Sequence, residues 1–442
     1  MKPHLVLFFA TTLLVVRLTL HAAVVGMSPP ALPLTAERIA AMPANTTANT
    51  QLAWTAYLER SKHQMAEDQA SFAQEFKATG LKETLPVPDG HDAKSLPLDQ
   101  AAGWYGGAEA RRIADIVVSF QTPAGGWSKN IDLAKHLRQP GERYSHDGGS
   151  KFTDQSDNDR PANAAWSYVG TIDNDATTTQ LRYLAKVITA LPADAAAPYR
   201  AAFSRGLEYI LAAQYPNGGW PQVWPLEGGY HDAITFNDGA MLHVLALQRD
   251  VADGKNEFAF ATSEQRRKSA DSLQRGLSCL LACQLSVANH VTIWCQQHDM
   301  LTLQPCSARN YEMPAAASAE SAEIMMFLMK IQKPSAEVVH AIKSAATWFQ
   351  KNAIYGEAFR PINGDRHLVA QTGAGPIWPR YSEIGTDRPL FGDRDKTIHD
   401  NVEDLSRERR NGYAWFNNSA KRALEQYDHW QKSGPAAPDL VK

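Results

Sequence analysis

Gln121-Thr-Pro-Ala-Gly-Gly-Trp127 returns as Gln214-Tyr-Pro-Asn-Gly-Gly-Trp220. Each copy closes an apolar helical run, Ile113-Ala-Asp-Ile-Val-Val-Ser-Phe-Gln121 and Gly206-Leu-Glu-Tyr-Ile-Leu-Ala-Ala-Gln214. A fainter third copy, Gly276-Leu-Ser-Cys-Leu-Leu-Ala-Cys-Gln284, leads on to Trp294, and the pattern suggests a fourth ending at Trp348-Phe349-Gln350. A phrase repeated on this scale is one supersecondary unit used several times. After each Gln-ended helix come a loop and a second helix: Thr177–Val187, Gly239–Leu247 and Ser321–Met329. These second helices are apolar over much of their circumference, as buried helices are. The first helices carry polar residues on one side, as in Glu109, Arg111, Arg112 and Asp115. An outer amphipathic ring around an inner apolar ring satisfies both patterns. The expected fold is therefore all-α, an α/α toroid of helix hairpins in two rings with long ordered loops. The Pro and Gly-Gly stop each outer helix and permit a tight reversal, over which the Trp packs. Strand signals are weak, since alternation is short-lived.

The starts of the inner helices are acidic: Asp173-Asn174-Asp175, then Asn237-Asp238, then Glu320. Taken singly, each suits a helix N-cap. Equivalent ends of inner helices open on one rim, however, so the set is expected to deliver carboxylates to a shared mouth. Four basic groups sit in loops rich in Gly, Pro and aromatic residues: Lys129, Arg309, Arg380 and Arg394. Each alone reads as a local ion pair, Arg394 between Asp393 and Asp395 most clearly. Arginines in such loops also make fixed forks for carboxylates. Carboxylates would hold a hard cation such as Ca²⁺, and cation and arginines together would hold an anionic polymer.

The chain has 442 residues, with 44 Lys plus Arg against 47 Asp plus Glu, and this near balance argues against a nucleic-acid partner. A basic start and the apolar run Leu5–Val16 read as a leader over 1–25, either cleaved near Ala22 or Ala23 or kept as an anchor, so the protein is expected to be secreted or periplasmic. Residues 26–60, rich in Pro, Ala and Thr, read as a linker or pro-region. Residues 61–107 read as an N-terminal helical extension and 108–430 as the toroid, acting as a monomer. Cys279, Cys283, Cys295 and Cys306 read as buried free thiols, with Cys295–Cys306 the best disulfide candidate. His298-Asp299 looks like a catalytic pair but reads as a buried hydrogen bond. No Walker loop, dinucleotide fingerprint, H-E-x-x-H or G-x-S-x-G occurs.

The blocks QTPAGGWSKN, GTIDNDATTTQLRYLA, QYPNGGWPQVWPLEGGYHDAITFNDGAM, WCQQHD, ARNYEMP, PRYSEIGTDRPLFGDRD and RRNGYAWF run in order from Gln121 to Phe416, within the segment that opens at Ala108. Together they resemble the pectate lyases of polysaccharide lyase family 10. The resemblance implies an incomplete α/α toroid that cleaves polygalacturonate by calcium-assisted β-elimination to 4,5-unsaturated products. It also implies roles: Arg309 as catalytic base; Asp175, Asp238 and Asp173 as calcium ligands; Arg380, Arg394, Lys129 and Asn237 as substrate-binding groups. Ser128 stands where many relatives have Pro, and Gln284–Val291 lacks the Gly-Gly turn. A base role for arginine would need neighbouring cations and partial burial. The rival readings are an inverting glycoside hydrolase that recasts Asp175 and Asp238 as its carboxylate pair, a non-catalytic binder of acidic glycans, and a polyprenyl cyclase, which lacks its Asp-rich motif here.

Overall fold

The computed structural model describes residues 24–88, 90, 96–146 and 166–433. All of the expected leader except Val24 and Val25 lies outside these residues. The helices are α1 (Ala36–Ala40), α2 (Ala48–Thr79), α3 (Ala108–Ser119), α4 (Thr178–Ala190), α5 (Ala193–Ala213), α6 (Ala240–Asp253), α7 (Ser263–Ala282), α8 (Ser318–Met329), α9 (Ala336–Lys351), α10 (Arg407–Asn411) and α11 (Ser419–Ser433). Helices α3, α5, α7 and α9 pack side by side as an outer row, and α4, α6 and α8 line its inside. Helix α4 buries Leu181, Tyr183, Leu184, Ala185, Val187 and Ile188, residues spread around its circumference, while α3 buries one face through Ala110, Ile113, Ala114, Ile116 and Val117. Helix α11 packs on α8 and α9, the place of a fourth inner helix. The fold is the expected helical toroid.

The repeated phrase is a set of hydrogen bonds made three times. Gln121 Nε2 donates to Gly125 O and to Ala202 O on the next outer helix, both at 2.8 Å. Gln214 Nε2 does the same to Gly218 O and Ser272 O, and Gln284 Nε2 to Thr292 O and Ala341 O. One amide thus closes its own turn and fastens the neighbouring hairpin. The first Gly of each pair has a left-handed φ, 104° at Gly125 and 97° at Gly218, where a Cβ would strike the carbonyl of Arg205 or Arg275. Each Trp then seals its hairpin: Trp127, Trp220 and Trp294 are fully buried, and their Nε1 atoms donate to Val117 O, Ile210 O and Leu280 O.

The fourth copy is not at Trp348. Trp378, also fully buried, donates Nε1 to Phe349 O at 2.9 Å and takes the sealing role. The hairpin Glu357–Ile362 with Asp365–Ala370 is inserted ahead of it, and Ala353 stands four residues after Phe349, where the earlier copies have their Gln. Strands, weakly signalled in sequence, build a five-stranded sheet in the order Val24–Met27, Thr397–His399, Pro389–Gly392, Tyr381–Ser382, Ala316–Ala317, all antiparallel. A second hydrophobic core lies with this sheet: Tyr311, Met313, Tyr381, Leu390, Phe391 and Trp415 pack apart from the helical core.

Residues 26–60 are not a linker. They hold the end of the edge strand, α1, and the start of α2, whose N-cap Thr47 accepts from Thr50 N. Helix α2 is polar over most of its surface, so its periodicity is faint; its buried stripe is Trp54, Tyr57, Leu58, Ser61 and Asp68. All four cysteines are free thiols. The Cys295–Cys306 candidate fails because Cys295 Sγ faces the Cys306 carbonyl oxygen, at 4.0 Å, rather than its sulfur. His298 Nδ1 bonds to Leu303 O at 2.8 Å while Asp299 pairs with Arg38, so the His298-Asp299 dipeptide is not a bonded pair. Burial pushes the His298 imidazole down to about 4.

Candidate active site

Two acidic turns start the first two inner helices. Thr171 Oγ1 accepts from Asp173 N, and Thr235 Oγ1 accepts from Asn237 N, so the turns Asp173–Asp175 and Asn237–Gly239 are structural counterparts, and they pack together. Each has two successive residues with left-handed φ: Asn174 (49°) and Asp175 (62°), then Asp238 (50°) and Gly239 (68°). Thr177 has φ 64° as well, a costly value for a β-branched residue, of order 1–3 kcal/mol. Its hydroxyl offsets that cost by donating to Thr171 O at 2.8 Å and accepting from Trp127 N at 3.0 Å. The strained turn therefore hangs from the same Trp that seals the first hairpin.

These turns open on a cleft of about 910 Å³ lined by Lys129, Asn130, Asp175, Asp238, His243 and Glu323 among others. Asp175 and Asp238 are exposed to it. His243 Nδ1 lies 2.5 Å from Asp175 Oδ1. Asp173 is buried and paired with Lys129, whose ammonium also sits 3.7 Å from the Tyr168 ring centroid. Burial works to raise the Asp173 carboxyl, but Lys129 outweighs it and holds the group below the usual range. The Asp238 carboxyl is pushed up, first by desolvation, then by Asp173; Arg380 and Arg309 oppose the shift.

The cationic side comes from the second core. Arg309 is clasped by Glu312, with Nε donating to Oε2 at 2.9 Å and Nη2 to Oε1 at 2.5 Å. Its Nη1 makes no hydrogen bond among the described residues, and about a third of the side chain (32%) is exposed. The rings of Tyr311 and Tyr413 flank the guanidinium at 5.1 and 5.8 Å. Burial pulls the Arg309 guanidinium down, but the charge and hydrogen bonds of Glu312, with Tyr413 and Tyr311, together outweigh it and hold the group well above its ordinary value. The neighbouring cations expected from sequence are present, since Arg380, Arg394 and Arg409 share the Tyr311 and Tyr413 rings with Arg309, but the group bonded to Arg309 is a carboxylate. Glu312, buried and also bonded by Tyr413 Oη at 2.6 Å, is held down at about 2: burial opposes this, and Arg309 outweighs it. Arg380 Nη2 donates to Glu320 Oε1 at 2.6 Å, and its guanidinium lies 4.8 Å from the Tyr413 ring centroid.

Of the residues singled out from sequence, Lys129, Asp175 and Asp238 line this cleft; Asp173 is paired with Lys129, and Arg309 and Arg380 are not in the lining but lie near enough to act on the Asp238 charge. Asn237 is buried and serves Asp238: its Nδ2 donates to Asp238 Oδ2 at 2.8 Å, and its Oδ1 accepts from Gln296 Nε2 at 2.7 Å. Arg394 shares the Tyr311 ring with Arg309, 5.6 Å from its centroid, and its guanidinium is held by Glu408 at 2.9 Å rather than by Asp393 or Asp395. Sequence reasoning missed Glu312, Gln296, Tyr413, His243 and Glu323. The three-residue spacing from Arg309 to Glu312 was a usable signal for the first.

An α/α toroid whose rim joins acidic turns to clasped arginines defines a class of polysaccharide-degrading enzyme. The family model for pectic acid lyase matches residues 121–424, and the chain belongs to that family; it is a polysaccharide lyase. Among solved structures it is similar to a family 10 polysaccharide lyase from Cellvibrio cellulosa, at 28% identity and a TM-score of 0.61, covering 77% of this chain and 99% of that one. An alanine variant of a Cellvibrio cellulosa family 10 lyase, in complex with trigalacturonic acid, is similar at 27% identity with the same coverage and TM-score. A search of the curated proteins finds no match.

Proposed function

We propose that the protein cleaves polygalacturonate by calcium-assisted β-elimination, leaving a 4,5-unsaturated end. The observation that carries this reading is Arg309: Glu312 and two tyrosines fix it, while Nη1 is left for a substrate. Elimination removes the proton at C5, alpha to the uronate carboxylate. The C5–H electrons form the C4–C5 double bond, and the glycosidic oxygen leaves C4 and takes a proton from water. Arg309 is the proton acceptor at C5, and Arg380 lies close enough to share the uronate's charge. Glu312 keeps Arg309 charged at rest, so the reactive neutral form is scarce and turnover climbs as pH rises.

The donor chemistry fits calcium. Asp238 and Asp175 offer carboxylate oxygens to the cleft, and buried Asp173 has an Oδ1 with no hydrogen-bond partner. No cluster of three or more metal-binding side chains occurs among the described residues, so the fit is of donor type rather than of a closed cage. Charge supports the need for a cation. Arg309, Arg380 and Lys129 are each matched by Glu312, Glu320 and Asp173. Asp175, Asp238 and Glu323 then leave the cleft acidic, which repels a polyuronate. Calcium bound through Asp238 and Asp175 would neutralise the uronate carboxylate and so acidify C5.

Incubation with polygalacturonate and calcium should raise ultraviolet absorbance as unsaturated uronide forms, and EDTA should stop the rise until calcium is restored. New reducing ends without that absorbance would mean hydrolysis and overturn the proposal. The leader implies export, and cleavage after Ala22 or Ala23 would leave the strand Val24–Met27 near the mature terminus; N-terminal sequencing of the exported protein tests this.

A further inference from the structure

We infer that residues 24–38 form a strap that holds the two halves of the site in register, with Ser28 and Arg38 as positioning residues for Arg309 and Asp238; this rests on the lyase reading above. The two halves stand on different cores. The acidic turns belong to the helical toroid, whereas Arg309 and Arg380 come from segments packed with the sheet core. Relative motion of the two would change the distance between the proton acceptor and the groups that bind the uronate.

The strap is fastened to both. Its first residues, Val24–Met27, form the edge strand of the five-stranded sheet, paired with Thr397–His399. Ser28 N donates to Lys396 O at 2.8 Å, and Ser28 Oγ donates to Ser307 Oγ at 3.2 Å, two residues before Arg309. Six residues on, the strap reaches the toroid side. Leu34 N donates to Asp232 Oδ2 at 2.9 Å, and Leu34 and Ile39 are buried in the helical core.

Arg38 then forms an ion pair with Asp299 while bonding back to the carbonyls of Leu32 and Pro33 at 3.0 and 2.9 Å. Asp299 organises the turn that follows by accepting from Leu301 N and Thr302 N. Asp232 and Asp299 flank one short ladder, Ile234–Thr235 with Gln297–His298. That ladder leads directly into Asn237-Asp238 on one strand, and on the other from Gln296, which bonds Asn237. A single run of chain thus grips the base of Arg309 and the base of Asp238. It lies wholly outside residues 121–424, the part matched by the family model.

The test uses the full chain carrying Arg38→Ala, Arg38→Lys, Ser28→Ala and the Ser28/Arg38 double alanine variant, assayed on polygalacturonate with calcium alongside thermal unfolding. Misplacement of a proton acceptor by about 1 Å costs on the order of a hundredfold. Arg38→Ala and the double variant should therefore lose roughly ten- to a hundredfold in kcat with KM changed by less than about threefold. Arg38→Lys should recover part of the loss. A lower unfolding temperature with kcat unchanged, or a loss confined to KM, would overturn the strap inference while leaving the lyase reading intact. Absence of unsaturated product from the unaltered protein would overturn the lyase reading itself.

Discussion

Arg380→Ala tests the electrostatics of the rim because it strands a buried charge. Glu320 is 3% exposed, its Oε1 accepts from Arg380 Nη2 at 2.6 Å, and its Oε2 has no hydrogen-bond partner. Burial already raises the Glu320 carboxyl, and Arg380 is the largest influence pulling it down. The charge centres of such a contact are about 4 Å apart, which at an effective dielectric of about 20 corresponds to ~4 kcal/mol. Removing Arg380 raises the folded-state value further while the unfolded value stays put. A carboxyl raised on folding costs no stability while it is protonated. Its cost grows as pH rises toward the folded value and then levels off. The stability gap between the unaltered protein and Arg380→Ala should therefore be small near pH 4.5, where only packing is lost. It should widen by up to ~1.4 kcal/mol per pH unit and flatten near ~4 kcal/mol, as expected for breaking one partner of a buried pair. Urea denaturation followed by tryptophan fluorescence from pH 4.5 to 8.5 measures the gap. Adding Glu320→Gln should remove its pH dependence. A gap constant across that range would refute the reasoning.

Arg309→Ala should lower kcat by about 10²–10⁴-fold, the usual worth of a positioned proton acceptor, while trigalacturonate still binds in calorimetry. Glu312→Gln removes the charge that holds Arg309 protonated, so the rising limb of kcat/KM against pH should move to lower pH even as the maximum rate falls; an unmoved or alkaline-shifted limb would contradict the assignment. Gln214→Ala leaves the buried carbonyls of Gly218 and Ser272 without their shared donor and should destabilise the protein by about 1–3 kcal/mol in denaturant titration.

The toroid was legible because its signal is local and repeated. A Gln, a Gly-Gly and a Trp each do one geometric job within a few residues of one another, so the code survives as a string. The fourth unit was misread where that locality breaks, with Ala353 in the Gln position and a hairpin inserted before Trp378. The five-stranded sheet was illegible for a related reason. Its strands are two to four residues long and pair across distant parts of the chain, so no alternation develops. The acidic rim could be inferred from Asp173, Asp175 and Asp238 because equivalent helix ends must share a face. Glu312 was within reach of a local reading, three residues after Arg309, whereas the pairing of Glu320 with Arg380, 60 residues away in sequence, was not, since it depends on how the second core packs against the first.

The charge count of the cleft leads to a prediction in which one substitution has opposite effects under two conditions. With Arg309, Arg380 and Lys129 already matched, Asp238 is a bare repulsive charge toward a uronate unless a cation sits between them. Two like charges about 6 Å apart repel by roughly 3 kcal/mol at an effective dielectric of about 20. Asp238 is open to solvent, and screening reduces this to about a third, a severalfold effect on affinity. At pH 8.5, far to the alkaline side of the ordinary carboxylate range, Asp238→Asn in EDTA should bind trigalacturonate severalfold more tightly than the unaltered protein. With calcium present the same substitution removes a cation ligand and should bind it more weakly. Calorimetric titration in both buffers reads the two signs directly. Weaker binding by Asp238→Asn in EDTA as well as in calcium would mean that Asp238 touches the sugar rather than the cation, and the calcium assignment would have to move to Asp175 and Glu323.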